Sequence, residues 1–256
     1  MIDPRAIVDP SARLADDVSI GPFSIIGADV EIGAGTTVAA HVVIHGPCTI
    51  GRDNRIHSFA SLGDAPQDLS YAGEPTRLEI GDRNVIREYV TINRGTPKDR
   101  ALTTVGSDNL LMAYCHIAHD CVIGDHTVFA NGASLGGHVA IGDYAILGGF
   151  AMIHQFCRVG AHAFCAMGSA VAKDVLPYVL VSGHPAHPHG INARGLARRP
   201  GFDAQRIQRI RRHYKLVFRS GLKLEEAVAQ LEAEPDDADA GMLAAFMRDS
   251  RRSILR

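Results

Sequence analysis

Aliphatic side chains recur at every sixth residue. Val8, Leu14, Ile20, Ile26, Ile32, Val38, Ile44, Ile50, Ile56 and Leu62 form an unbroken run, and the step resumes at Ile80, Ile86 and Ile92. After a second irregular stretch it shifts phase by one. It then continues through Val105, Leu111, Ile117, Ile123, Phe129, Leu135, Ile141, Leu147, Ile153, Val159, Cys165 and Val171. Two residues before these lie mostly small residues, among them Ala6, Ala12, Ser24, Ala133, Ala145 and Ala151. An α-helix repeats at about 3.6 residues and a strand at about 2, so a strict six fits neither a helical solenoid nor an ordinary sheet. Three straight pieces of six with a turn between each close a triangular coil of about 18 residues, whose stacking pairs each strand with the one above. Glycine and Asx near the corners (Gly21, Gly27, Gly33, Gly51, Asp125, Gly142) are expected to supply the positive φ such turns need. The pattern predicts a mainly β chain, a parallel β-helix of hexapeptide repeats over 1–183, with loops at 64–77 and 94–103.

The six-step ends before Gly201. A linker is expected over 184–200 and an α-helical domain over 201–256. Asp203 is placed to cap a helix running to Ser220 with Gly221 as its stop, and Leu224–Glu234 and Ala238–Leu255 read as two more amphipathic helices. Such a tail either covers the open end of the coil or packs on a neighbouring chain, since a bare sheet edge invites aggregation.

Composition narrows the class. Charged residues are 21%, hydrophobic residues 46% and formal net charge is −2, which argues against disorder and against wholesale nucleic-acid binding. No run approaches the ~18 apolar residues of a membrane span, and the start, Met1-Ile2-Asp3-Pro4-Arg5, lacks the apolar run of an export signal, so a cytoplasmic location is expected. The charge is unevenly spread: residues 1–190 hold 12 basic and 19 acidic side chains, residues 191–256 hold 14 and 9. Within 191–223 ten Lys/Arg face the single acid Asp203, which suggests docking of an acidic partner. Arg206, Arg209 and His213 are spaced to share one helical face, with Arg212 nearby.

The repeat separates architecture from chemistry. Cys48, Cys115, Cys121 and Cys157 fall at the small inward position and Cys165 at the large one, so all five read as inert core thiols. Nine of the 13 histidines lie between His116 and His189, none at an inward position. Residues 18 apart stack about 4.8 Å from one another. By that rule His119, Gly137 and Gln155 form one column, and Asp120 lies beneath His138. A histidine below an open glycine backbone suits a general base beside an oxyanion donor, with Asp120 orienting the imidazole. The spacing also leaves open a zinc site drawing on His116, His119 and His138 or His154 across a subunit boundary, as in hexapeptide-repeat carbonic anhydrases.

Several segments closely resemble the bacterial UDP-N-acetylglucosamine O-acyltransferases, the first enzymes of lipid A assembly. They are Pro66-Gln67-Asp68-Leu69 with Gly73-Glu74-Pro75-Thr76, Gly106-Ser107-Asp108-Asn109-Leu110-Leu111-Met112, His116-Ile117-Ala118-His119-Asp120, Gly137-His138-Val139, Ile153-His154-Gln155-Phe156-Cys157, and Asn192 with Gly195-Leu196 and Arg198-Arg199. The resemblance runs from Ile2 to the C-terminus. It implies a homotrimer of left-handed β-helices with active sites between subunits and no cofactor or metal. The implied reaction moves an (R)-3-hydroxyacyl chain from acyl carrier protein to the 3-hydroxyl of UDP-N-acetylglucosamine. By the same resemblance His119 matches the base and Gly137 the oxyanion-stabilising backbone. Gln67, Asp68, His116, His138 and His154 match the sugar and acyl pocket, and Gln155, Asn192, Arg198 and Arg199 the nucleotide end. Met167 matches a position at the floor of the acyl groove, implying a chain of about ten carbons. The acidic carrier then gives Arg206, Arg209 and Arg212 their expected docking role.

Four positions depart from the family pattern: Asn93 for histidine, Ser70 for lysine, Arg194 for an acid, and Pro200 between the paired arginines and the usual glycine. They leave room for an amino-sugar variant of the acceptor. An acetyl-CoA-dependent transferase, a zinc hydratase of the same fold and a silent scaffold are the other readings.

Overall fold

The computed structural model describes residues 1–256. Its first 183 residues form the expected coil: three parallel sheets wind together, each strand pairing with the strand one coil away. The register steps by 18, as in Ile7↔Ile25, Val43↔Ser61 and His116↔Ser134, except at two insertions and at the last coil, where Phe164 pairs with Leu180. It steps by 30 from Ile50 to Ile80 and by 25 from Ile80 to Val105. The first insertion is a multiple of six and preserves the phase of the repeat. The second is not, which accounts for the one-residue shift in sequence.

The six-step aliphatics line the inside. From Ile20 to Val171 they are buried at 3% exposure or less. Val8 and Leu14, at the open N-terminal coil, stay partly exposed. Each such side chain contributes about 1.5–3 kcal/mol by burial, so the core is many small equal contributions in place of large rings. All five cysteines are buried and unpaired. Burial pushes Cys48, Cys121 and Cys165 up to about 12, where the thiolate needed for ligation or attack is absent at neutral pH.

A polar ladder runs up the interior at the small position, and the sequence analysis did not anticipate it. Thr36, Asn54, Asn84, Asn109 and Thr127 are all buried. Asn54 Nδ2 donates to the Gly81 carbonyl at 2.9 Å while its Oδ1 accepts from the Asn84 amide at 2.9 Å. Asn84 Oδ1 accepts in turn from the Asn109 amide, and Asn109 Oδ1 from the Thr127 amide and hydroxyl. Each of these side-chain oxygens thus accepts from the backbone amide one coil above, a buried donor that needs a partner.

The corners correct the expectation about glycine. Gly21, Gly27, Gly33, Gly51 and Gly142 do not carry the positive φ; that falls to Phe23, Asp29, His41, Phe59, Tyr89, Tyr114, Asp120, His138 and others. The glycines answer to distance. A Cβ on Gly21 would stand 2.6 Å from the Ala39 carbonyl carbon, and one on Gly33 2.8 Å from that of Gly51. The strained corners offset their cost by stacking: Phe23, His41, Phe59, Tyr89 and Tyr114 form a continuous ladder with centroids 4.9–5.1 Å apart.

The segment expected as a linker is ordered. Val179–Ser182 pairs antiparallel with His187–Ile191, closing the coil, and Asn192 caps the short helix α1 (Ala193–Leu196). Helices α2 (Ala204–Arg219, capped by Asp203), α3 (Leu224–Glu232) and α4 (Ala238–Arg248) follow. The last is shorter than the expected Ala238–Leu255. After Arg248 the chain turns back to the coil, where Ser250 donates to Asp174 at 2.7 Å and Ile254 forms a bridge with Asp174. Burying Ile254 against the coil outweighs about two further turns of exposed helix. The helices cover the C-terminal end of the coil, with Arg158 over the Phe246 ring and Tyr178 donating to Asp239 at 2.7 Å. No helix is long and apolar enough to cross a membrane.

Candidate active site

The triangular section gives the coil three edges, and the candidate residues distribute among them. One edge carries the column His119, Gly137, Gln155: the His138 amide donates to the His119 carbonyl and the Phe156 amide to that of Gly137. Here the expected constellation assembles. His119 Nδ1 lies 2.8 Å from Asp120 Oδ2. Asp120 is fixed from below, its Oδ1 accepting from the Thr96 amide at 2.9 Å, its Oδ2 from the Thr96 hydroxyl at 2.7 Å, and its own amide donating to Thr103 Oγ1 at 2.8 Å. These donors orient the fully buried carboxylate, which accepts from His119 Nδ1–H and leaves Nε2 as the free lone pair.

That Nε2 sits against Gly137. A Cβ there would stand 2.7 Å from Nε2 and 2.5 Å from Cε1. The Gly137 amide donates to no protein acceptor, as at other corners of the coil, so a donor and an unprotonated imidazole nitrogen adjoin one space. His138 closes one side, edge-on to His119 with ring centroids 5.2 Å apart and stacked on Phe156 at 4.5 Å. His116 is one strand inward, its Nδ1 2.7 Å from Thr91 Oγ1; burial, with the neighbouring His119 adding to it, lowers its basicity. Asn93 lies beneath Ala118, donating to the Ala65 carbonyl at 2.8 Å and leaving a buried Oδ1 without a partner.

The inserted loops bring Asp68 to the same edge. Its Oδ1 accepts from the Ser70 amide and hydroxyl, its Oδ2 from Lys98 at 3.0 Å. The Ser70 donors first, then Lys98, hold this carboxyl well below the usual carboxylate range. Ser70 is thus the cap of the carboxylate, and an ammonium arrives from the other loop. Gln67 is exposed beside it. His154 is held at Nδ1 by Arg252 of the C-terminal tail at 2.6 Å, which leaves its proton on Nε2. Neither Thr96, Lys98 nor Arg252 was legible in sequence, because none stands in phase with the repeat.

The remaining candidates lie on other edges. Met167, 81% exposed, stands above Gly149 and Asn131 beside the aromatic edge that carries Tyr114 and Phe150. Asn192 and Arg199 lie on the third edge. Asn192 accepts from the Gly195 amide and donates to the His162 carbonyl, so its amide is already committed to capping α1. Arg199 donates to the Tyr144 carbonyl at 2.8 Å and stacks on that ring, leaving Arg198 as the exposed arginine of the pair. One chain therefore does not bring Met167, Arg198 or Arg199 to His119.

The basic helix also needs correcting. Arg206 makes a two-bonded ion pair with Asp239 (2.7 and 2.8 Å) and lies over the Phe202 ring at 3.9 Å, so it is a joint between α2 and α4 and offers no free charge. His213 is buried and paired with Asp237 at 3.0 Å. Arg209 and Arg212 are exposed but face Asp237 at 3.7 Å and Glu234 at 2.5 Å. Arg211 and Lys215 complete the concave basic face with them and have no acidic partner.

The zinc reading meets the same geometry. His119, Asp120 and His138 offer one atom each within 4.8 Å of one another. Yet Asp120 Oδ2 already takes His119 Nδ1 and the Thr96 hydroxyl, and His138 Nδ1 faces Asp99 at 3.2 Å. The donors are oriented toward one another, in contacts that a metal would have to break.

Comparison with known proteins agrees with this arrangement. The family model described as Udp N-acetylglucosamine O-acyltransferase, domain 2, matches residues 174–255, and the bacterial transferase hexapeptide model matches 11–46 and 102–137. The chain is 59% identical to the acyl-(acyl-carrier-protein)–UDP-N-acetylglucosamine O-acyltransferase of Alkalilimnicola ehrlichii, covering 100% of this chain and 99% of that one. It is 57% identical, with the same coverage, to the protein of that name from Thiobacillus denitrificans. Among solved structures, LpxA from Acinetobacter baumannii is 49% identical with a TM-score of 0.96, covering 100% and 99% of the two chains. The UDP-N-acetylglucosamine acyltransferase of Francisella novicida is 44% identical with a TM-score of 0.98, covering 100% and 94%. The coil is accordingly the left-handed parallel β-helix of these structures with their C-terminal helical domain.

The Gly137 contact yields a direct test of the site. Gly137→Ala has no backbone obstacle, since Gly137 lacks a positive φ, but its methyl must displace the His119 ring. The variant should fold with unchanged thermal stability and lose about 10²-fold in turnover, the order expected for a misplaced catalytic group. Full turnover in a folded Gly137→Ala protein would remove His119 from the reaction.

Proposed function

The chain belongs to the UDP-N-acetylglucosamine O-acyltransferase family, and from that premise we propose that His119 is its general base. The reaction transfers an (R)-3-hydroxyacyl group from acyl carrier protein to the 3-hydroxyl of UDP-N-acetylglucosamine, the first step toward lipid A, in the cytoplasm. One observation carries the reading: the His119–Asp120 pair with Nε2 directed over Gly137. The sugar hydroxyl attacks the thioester carbonyl as Nε2 takes its proton. A C–O bond forms, and the carbonyl oxygen becomes negative beside the Gly137 N–H. Collapse breaks the C–S bond, and the departing thiolate recovers the proton from His119. Asp120 stabilises the imidazolium through Nδ1–H. Gln67, Asp68, His116, His138 and His154 line the sugar and acyl pocket on the same edge.

Three copies around a common axis complete the site. The exposed aromatic edge, with Phe150 70% accessible, is a large apolar strip for a neighbour to cover. Such packing sets one chain's His119 edge against another chain's edge bearing Met167, and the nucleotide end, with Gln155 and the Asn192–Arg198–Arg199 turn, is assembled between copies. Arg198 is the free cation there for a pyrophosphate. The carrier docks on the basic face of α2, where Arg211 and Lys215 supply unpaired charge beside Arg209 and Arg212.

Acyl length follows from the coil. His119 and Met167 are 48 residues apart, which at strand spacing is roughly 13 Å along the axis. At about 1.3 Å per carbon, an extended chain of about ten carbons fits, to within about two.

Purified protein should transfer the acyl group from carrier thioester to UDP-N-acetylglucosamine, and the 3-amino analogue serves as a second acceptor in the same assay. His119→Ala should stay folded and lose about 10²–10⁴-fold in turnover. An active alanine variant, or stoichiometric zinc whose removal abolishes turnover, would end the proposal. Charge reversal at Arg211 and Lys215 should raise KM for the carrier-linked donor more than for the sugar nucleotide, with a gap that narrows as salt screens the face. Equal rises would argue against docking there. Wild type should prefer medium-chain over long-chain 3-hydroxyacyl donors, since overpacking a filled groove costs about 1–3 kcal/mol. Met167→Gly should shift that preference toward the longer donor, and an unchanged preference would assign length to another residue.

A further inference from the structure

The loop at 94–103 touches three parts of the site at once. Thr96 donates twice to Asp120. Lys98 bonds Asp68 at 3.0 Å, and Asp99 Oδ2 lies 3.2 Å from His138 Nδ1. The loop is the second insertion in the repeat, so its length is free of the core's phase. Its root is also pinned: Arg94 donates to the Gly63 carbonyl at 3.0 Å and to the Tyr71 hydroxyl at 3.1 Å.

We propose that Asp99 is a positioning residue, holding His138 so that His138 in turn confines the His119–Asp120 pair. The inference rests on the reading of His119 as base. His138 Nδ1 has no other polar neighbour, so Asp99 is the contact that orients that nitrogen, while stacking on Phe156 at 4.5 Å holds the ring face. With that plane set, Nε2 points to Asp120 Oδ2 at 3.6 Å, and the ring edge walls the His119 imidazole. Asp99, His138, Asp120 and His119 thus form one chain of contacts from a half-exposed carboxylate to the base. Asp99 is 47% exposed and His138 13%. An ion pair at such a surface adds little to stability, so the value of this contact is orientation. Lys98 keeps the loop in place by its bond to Asp68 of the first insertion, and Asp99 is carried with it.

The test uses the full-length protein in the transferase assay. Asp99→Ala should lower kcat about ten-fold, the order of losing a hydrogen bond to a charged group, with KM for UDP-N-acetylglucosamine within about two-fold and the melting temperature unchanged. Asp99→Asn keeps an acceptor oxygen at the same place and should retain most of the turnover. Lys98→Met should also lower kcat, and combined with Asp99→Ala it should add almost nothing, because both act through one loop. Unchanged kcat in Asp99→Ala, equal losses in the alanine and asparagine variants, or fully additive losses in the double variant would each overturn the proposal. If wild type transfers no acyl group, the base assignment fails instead, so the two failures are distinguishable.

Discussion

The hydrogen bonds between successive coils hold the rest of this molecule in place. They fix a vertical spacing close to that of paired strands, so a residue has as its neighbour the residue one coil away before it has any other. Inside, this turns a six-residue pattern into columns of aliphatics. Outside, it turns single corner residues into ladders, and the aromatic column from Phe23 to Tyr114 is the visible result. The same spacing places the His119 ring under Gly137, where any Cβ would displace it. Architecture and chemistry are governed here by one distance.

That constraint explains what the sequence reveals. The period of six identifies the β-helix, the interior thiols and the outward histidines, and the 18-residue step finds the His119–Gly137 column before any coordinates. It fails wherever the chain leaves the repeat. Thr96, Lys98 and Asp99 sit in an insertion whose path depends on what it meets, and Arg252 reaches His154 from the opposite end of the chain. The corner glycines were misread because close approach and positive φ leave the same residue in the sequence; only the backbone of the coil above tells them apart. Asn54, Asn84 and Asn109 were legible in principle, since each precedes an inward aliphatic by two, but a polar residue at an inward position looks like an exception until its turn partners are known.

The charged helix shows a different limit. Counting Lys and Arg along α2 correctly marks a basic segment, yet the same count cannot separate a joint from a surface. Arg206 is drawn inward by Asp239, and its charge is further fixed by that pair and by Phe202. Removing one partner of such a half-buried pair strands the other, which makes Arg206 a stability residue. Beside it, His162 is lowered to about 4 by burial, then by Arg199 and Arg206. A ring held neutral in the fold but free to protonate when unfolded favours folding above its ordinary value. That contribution fades as pH falls from about 6.5 toward 4. The junction between coil and helices is therefore one acid-sensitive part of the structure.

Insertions show why this fold tolerates variable chemistry. A coil can accept extra residues only at a corner, because within a strand they would break the register with both neighbours. Both insertions occur at the edge that carries His119, and they meet each other through Lys98 and Asp68. One of them shifts the phase of the repeat and the other does not, yet the interior column continues unbroken past both. Loops at that edge are thus insulated from the core: a change in their length or charge alters what surrounds His119 without disturbing the column that positions it. His119 and Gly137 stay on the regular spacing of the coil, while the groups gathered around them, Lys98 and Asp99 among them, stand on segments that the spacing does not constrain.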